Sequence, residues 1–151
     1  MIGGATDTRP SPLGSETGSR PRRGGPYTPH IVAWNLTKRC NLACAHCYIS
    51  AGSWHGTEDE LSTSECFRIL DEVLEVNPTP MLILTGGEPL LQLDEALLQT
   101  FHQASFEVAI ETNGALPIPP GVDWVCVSPK STAELVATRA HELKLVFPQA
   151  D

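Results

Sequence analysis

Three cysteines crowd into one short run, Lys38-Arg39-Cys40-Asn41-Leu42-Ala43-Cys44-Ala45-His46-Cys47-Tyr48. The spacing is C-x3-C-x2-C, with no fourth cysteine nearby. Three thiolates can hold three irons of a [4Fe–4S] cluster and leave the fourth iron open. A fully ligated cluster shuttles electrons, whereas an open iron can bind a ligand and do chemistry. Two other readings compete. Cys40, Cys44, Cys47 and His46 could form a zinc site, although common zinc pairs are split by a longer insert. Cys44-Ala45-His46-Cys47 could be a redox C-x-x-C. Cys66 and Cys126 sit in apolar patterns and read as buried, inert core residues. His30, His55, His102 and His141 show no partner spacing and receive no role.

The elements that must position the thiols follow from periodicity. The 151 residues allow one domain with a real core, and 41% hydrophobic content is ordinary for a globular chain. The net charge of −8 argues against a nucleic-acid surface. No apolar run is long enough to span a bilayer, and an odd number of cysteines, three of them clustered, fits a reducing cytoplasm. Residues 1–29 are rich in Gly, Pro, Ser and Arg and read as a disordered tail. Within it, Arg20, Arg22 and Arg23 read as solvated.

From residue 30 onward, strands and helices alternate. His30–Thr37 reads as a strand. Ser62 and Glu65 have capping-box spacing and open a helix with Cys66, Phe67, Leu70, Val73 and Leu74 as its stripe, closed by Asn77-Pro78. Met81–Leu84 reads as a strand covered on both faces. Leu93, Leu97, Leu98 and Phe101 carry a second helix. Phe106–Ile110, Trp124–Val127 and Leu143–Phe147 read as strands, with a short helix over Thr132–Thr138. The alternation implies a parallel α/β sheet. No phosphate-cradling glycine motif of the common nucleotide folds is present. Each presumed strand end carries a polar motif: the cysteine loop, Thr85-Gly86-Gly87-Glu88-Pro89, Glu111-Thr112-Asn113-Gly114, and Ser128-Pro129-Lys130. In barrel-like α/β folds, chemistry gathers at those ends.

C-x3-C-x2-C after the first strand, with Gly-Gly-Glu-Pro after the second, resembles the radical S-adenosylmethionine (SAM) superfamily. The resemblance implies a partial (β/α) barrel, here cut to about five strands over residues 30–151. It implies that Cys40, Cys44 and Cys47 ligate a [4Fe–4S] cluster whose open iron takes SAM. Gly86 and Gly87 would let backbone approach the ligand, and Glu88 would accept from the SAM ammonium. His46 would sit near the adenine. Lys38 and Arg39 would favour thiolates.

The segments Val108-Ala109-Ile110-Glu111-Thr112-Asn113-Gly114, Asp123–Lys130 and His141–Gln149 resemble the 7-carboxy-7-deazaguanine synthase family. That likeness implies a small pterin-like substrate touching Thr85. SAM would be held by Gly87, Ser128, Pro129 and Lys130, with Glu111 and Asn113 lining the same pocket. It also implies assistance by Mg²⁺, whose ligand is not identifiable here, an electron donor such as flavodoxin, and a homodimer. Residues 29–55 resemble haem-synthesis and peptide-modifying radical SAM proteins instead. The synthase family's N-terminal Gln-Gly-Glu element and its Asp-Thr after the last cysteine have no counterpart, since Tyr48-Ile49 follow Cys47. The two likenesses meet near Thr85–Pro89, which points to a chimera joined there or to a catalytically silent iron–sulfur fragment.

Overall fold

A computed structural model describes residues 27–147 except 59 and 132. The tail expectation therefore falls mostly outside the described residues, as do Pro148 and Gln149.

Five strands, β1 (Ile31–Thr37), β2 (Met81–Gly86), β3 (Glu107–Thr112), β4 (Trp124–Val127) and β5 (Glu142–Leu143), form one sheet in the order β1-β2-β3-β4-β5. Every neighbouring pair is parallel. Parallel neighbours need a crossover between them. Four crossovers stepping one strand each in sequence give the winding of a barrel wall, here left unclosed.

Helix α1 (Thr63–Val76) joins β1 to β2, as the capping box requires. Ser62 N–H donates to Glu65 Oε2 at 2.9 Å, while Glu65 N–H points back to Ser62 Oγ at 3.4 Å. Helix α2 (Glu95–Gln103) joins β2 to β3 and is capped by Asp94, whose Oδ1 accepts Leu97 N–H at 2.8 Å. One sheet face carries Leu82, Leu84, Val108, Ile110, Val125 and Val127, which pack with Leu70, Leu98, Phe101 and Phe106 as the core. Burying apolar side chains of this size stabilises by about 1.5–3 kcal/mol each. Residues of opposite parity (Thr85, Glu111, Cys126, Lys144) belong to the other face.

Three expectations change. Among the described residues, 133–140 form no helix. Val136 and Ala137 N–H both donate to the Gly114 carbonyl, at 2.8 and 2.9 Å, which holds this stretch extended against the turn after β3. The final strand lies earlier than Leu143–Phe147. Its ladder pairs Cys126 with Glu142 and Val127 with Leu143, then ends with Lys144 N–H on the Val127 carbonyl at 2.9 Å. Beyond Val127 the N–H groups leave the ladder: Ser128 N–H donates to the Thr112 carbonyl, and Pro129 has no N–H. Leu143, Leu145 and Phe147 are consequently exposed. Cys66 is only partly buried and faces a cavity of about 620 Å³ beneath α1, lined also by Trp34, Phe67 and Phe101. Cys126 is buried, as expected.

Two histidines serve the scaffold. His102 Nε2 pairs with Asp123 Oδ2 at 2.9 Å. His141 Nδ1 accepts Val125 N–H at 2.9 Å, and its ring stacks on Trp124 with centroids 5.0 Å apart. Among the described residues no helix is long and apolar enough to cross a membrane.

Candidate cofactor site

The cysteine loop is built by backbone closure. Gly52 N–H donates to the Lys38 carbonyl at 3.0 Å, and Cys40 N–H donates to the Gly52 carbonyl at 3.4 Å, so the loop folds back beside its own start. Turns then place the sulfurs: Cys47 N–H reaches the Cys44 carbonyl at 3.1 Å, and Ser50 N–H the Cys47 carbonyl at 3.2 Å. Two peptide N–H groups point at sulfur, Leu42 at Cys40 Sγ (3.4 Å) and Ala51 at Cys47 Sγ (3.2 Å).

The Gly-Gly-Glu segment after β2 clamps this loop. Gly87 N–H donates to the Thr37 carbonyl at 2.7 Å and Glu88 N–H to the Arg39 carbonyl at 3.0 Å. Gly86 has φ +112°, a conformation side chains resist. A Cβ on Gly87 would lie 2.0 Å from the Arg39 carbonyl oxygen. Contact with the cysteine loop itself thus requires these glycines, and both also line the cavity described below.

Glu88 is placed differently from the expectation. It is 0% exposed. Oε1 accepts Leu90 N–H at 3.1 Å and Thr112 Oγ1–H at 2.8 Å, and Oε2 accepts Asn113 N–H at 2.8 Å. Burial pushes its carboxyl above the usual range, and these three donors pull it back. Glu88 lies under the cavity as a tie between strand ends rather than on its wall.

Cys40, Cys44 and Cys47 share one cavity of about 310 Å³ with Gly86, Gly87, Asn113, His46 and the ends of β2 to β5. Its far wall carries Thr85, Glu111, Ser128 and Lys130. Thr85 Oγ1 donates to Glu111 Oε2 at 3.0 Å, and Lys130 Nζ to Ser128 Oγ at 2.8 Å. Pro129 does not line it. Sequence reading missed Lys144, which lines the cavity and donates from Nζ to Glu111 Oε1 at 2.6 Å. Its signal was present: a charged residue at inward parity within Leu143-Lys144-Leu145. Burial raises the Glu111 carboxyl, but Lys144 and Thr85 outweigh it, so the group sits below its ordinary value. Cys126 and Tyr48 also line the cavity.

The donor set fits thiolate-bound iron. Each thiolate of a cluster binds a different iron, whereas one zinc needs all donors within about 2.0–2.3 Å of a single point. Burial raises the Cys40 thiol; the Leu42 N–H opposes this, Glu88 and Cys44 add to it, and Asn113 lowers it. Neither Lys38 nor Arg39 is among the groups acting on Cys40, and Arg39 faces Glu60 at 3.8 Å. Metal binding at Cys40 must therefore displace a thiol proton.

Known proteins fall into two groups around this chain. A 7-carboxy-7-deazaguanine synthase of Bordetella pertussis is 71% identical over 70 residues, covering 46% of this chain and 33% of that protein. One from Bacteroides thetaiotaomicron is 42% identical over 114 residues, 74% of this chain and 57% of that protein. An Fe-coproporphyrin III synthase of Methanosarcina barkeri is 37% identical over 87 residues, 57% of this chain and 21% of that protein. The chain thus spans about a third of the length of the Bordetella pertussis synthase. The family model of the Radical SAM superfamily matches residues 34–142, which contain the whole cysteine loop and the C-terminal ends of the first four strands, and the chain belongs to that superfamily.

Proposed function

We propose that this chain forms the cofactor-binding part of a radical SAM enzyme of the 7-carboxy-7-deazaguanine synthase type, acting on 6-carboxytetrahydropterin by radical ring contraction. The observation that carries the proposal is the shared cavity of Cys40, Cys44 and Cys47 with Thr85, Glu111, Ser128 and Lys130. The superfamily implies a [4Fe–4S] cluster and SAM, which when bound supply hydrogen abstraction by an adenosyl radical. This chain's residues hold and orient. The three cysteines hold the cluster. Gly86, Gly87, Asn113 and the Ser128-Pro129-Lys130 segment line or brace the SAM side. Thr85 and Glu111 present a hydroxyl and an ionised carboxylate to the N–H-rich face of a pterin, with Lys144 holding Glu111 in place. Glu88 acts from beneath, by fixing the strand ends to the cysteine loop. A flavodoxin-type donor, Mg²⁺, a homodimer and a cytoplasmic setting complete the reading, as the synthase likeness implies.

A second reading has its own support. The 37% identity to Fe-coproporphyrin III synthase favours haem chemistry. The 114-residue match to one synthase runs across Thr85–Pro89, as a match within one superfamily does whether or not two halves are joined there. Anaerobic reconstitution with iron and sulfide, then reduction in the presence of SAM, is expected to release 5′-deoxyadenosine. Consumption of 6-carboxytetrahydropterin supports the synthase reading; turnover of iron coproporphyrin alone supports the second. Iron uptake without 5′-deoxyadenosine assigns a silent iron–sulfur fragment. Long genomic reads across codons 80–92 test the chimera, which an uninterrupted native gene retires.

A further inference from the structure

The turn after β3 places one side-chain amide between its own backbone and the first cysteine. Asn113 is 8% exposed, and both ends of its side-chain amide are engaged. Oδ1 accepts Ala115 N–H at 2.8 Å, which fixes which end is oxygen. Nδ2 is thereby turned to the cysteine loop. It donates to Asn41 Oδ1 at 2.9 Å and points at Cys40 Sγ at 3.9 Å. An amide nitrogen carries two hydrogens, enough for both partners.

The backbone below is pinned as firmly. Asn113 N–H and Thr112 Oγ1–H end on the two oxygens of Glu88, and Gly114 N–H ends on Thr112 Oγ1 at 3.0 Å. Glu88 N–H holds the carbonyl of Arg39, the residue before Cys40. One buried residue therefore anchors both the amide and the segment that leads to the sulfur.

We propose that Asn113 is a positioning residue that donates a side-chain N–H to the sulfur of Cys40 and so raises the reduction potential of the iron–sulfur centre. The inference rests on the reading that the three cysteines hold a cluster. Reduction adds negative charge that spreads onto the thiolate sulfurs, and hydrogen bonds to those sulfurs are among the factors that set cluster potentials. A donor aimed at Cys40 favours the reduced form, the one that must deliver an electron to SAM.

The test is a redox titration of the full chain, reconstituted anaerobically and followed by EPR, for the wild type, Asn113→Ala and Asn113→Asp. Poised at the wild-type midpoint, Asn113→Ala is expected to show about a fivefold lower ratio of reduced to oxidised cluster, the equivalent of a hydrogen bond of about 1 kcal/mol. Asn113→Asp keeps the contact to Ala115 but turns an oxygen toward sulfur, so its ratio should fall further. Equal midpoints in all three chains overturn the inference and leave the functional reading intact. A wild-type chain that assembles no cluster overturns both. Loss of the cluster from both variants, in chains with wild-type far-ultraviolet circular dichroism, would assign Asn113 to assembly and overturn the role in potential.

Discussion

The first three strand ends and the last two are built on different principles. At β1 to β3 the crossovers run through α1 and α2, and the loops are locked by peptide hydrogen bonds, glycine contacts and the buried Glu88. At β4 and β5 the connections contain no helix among the described residues, and β5 is two residues long. There backbone bonds seat the connecting segments, and on the side facing the cavity an ion pair links β3 to the end of β5, Lys144 to Glu111, with side chains 49% and 39% exposed. The half that carries the cysteine loop is thus locked by backbone bonds and a buried carboxylate, whereas at β4 and β5 an exposed ion pair adds to the backbone bonds.

Four substitutions break or sharpen this contrast. Glu88→Ala should have the largest effect. It strands Thr112 Oγ1, Asn113 N–H and Leu90 N–H in a buried place, at about 3–5 kcal/mol, measured as a lower urea midpoint. A loss below about 1 kcal/mol would mean the first half is not tied through this carboxylate. Gly87→Ala should cost about 2–3 kcal/mol by driving a methyl into the Arg39 carbonyl. Iron content after reconstitution should fall with it; an unchanged iron count would show that the loop tolerates displacement.

Lys144→Met addresses the second half. Because both partners are exposed by more than a third, the pair is worth only about 0.5 kcal/mol to stability at neutral pH. The sign follows from Glu111, whose carboxyl lies below its ordinary value in the folded chain. Its stabilising contribution is present above the unfolded carboxylate value, about 4.3, and disappears as pH falls through the lower folded value. Thermal melts of the wild type and Lys144→Met should therefore differ slightly at pH 7 and converge in acid. Melts that keep their separation in acid would refute the pairing. The smallest effect is expected from Phe147→Ser. The side chain is 95% exposed, so stability should change by less than about 0.5 kcal/mol while light scattering of concentrated samples falls. A marked loss of stability would reveal packing at the sheet edge.

The first half was the more legible in sequence, and for a physical reason. Ser62 and Glu65, Asp94, and the apolar run Met81–Leu84 act through local rules of capping and periodicity, and the elements stand where those rules put them. Cys40, Cys44, Cys47, Thr85, Gly87, Glu111, Asn113, Ser128 and Lys130 all meet at one cavity, because parallel winding brings each strand end to the same rim. Glu88 was misplaced because its partners, Thr112 and Asn113, are 24 and 25 residues away and no local pattern reveals them. The helix expected over Thr132–Thr138 failed for a similar reason. The Gly114 carbonyl claims two N–H groups that a helix would need. For Lys144 the sequence carried a signal, a charge at inward parity between two leucines, but its pairing with Glu111 depends on register across β3, β4 and β5, which sequence alone does not give.

The stacked pair Trp124–His141 has a practical consequence. His141 also accepts the Val125 N–H, so the imidazole lies on the indole only while the outermost strand is seated. Indole emission responds to a ring in van der Waals contact, and this contact therefore makes a native optical reporter of edge peeling. With Trp34 and Trp54 replaced by phenylalanine, fluorescence would follow detachment of that strand separately from collapse of the remaining sheet.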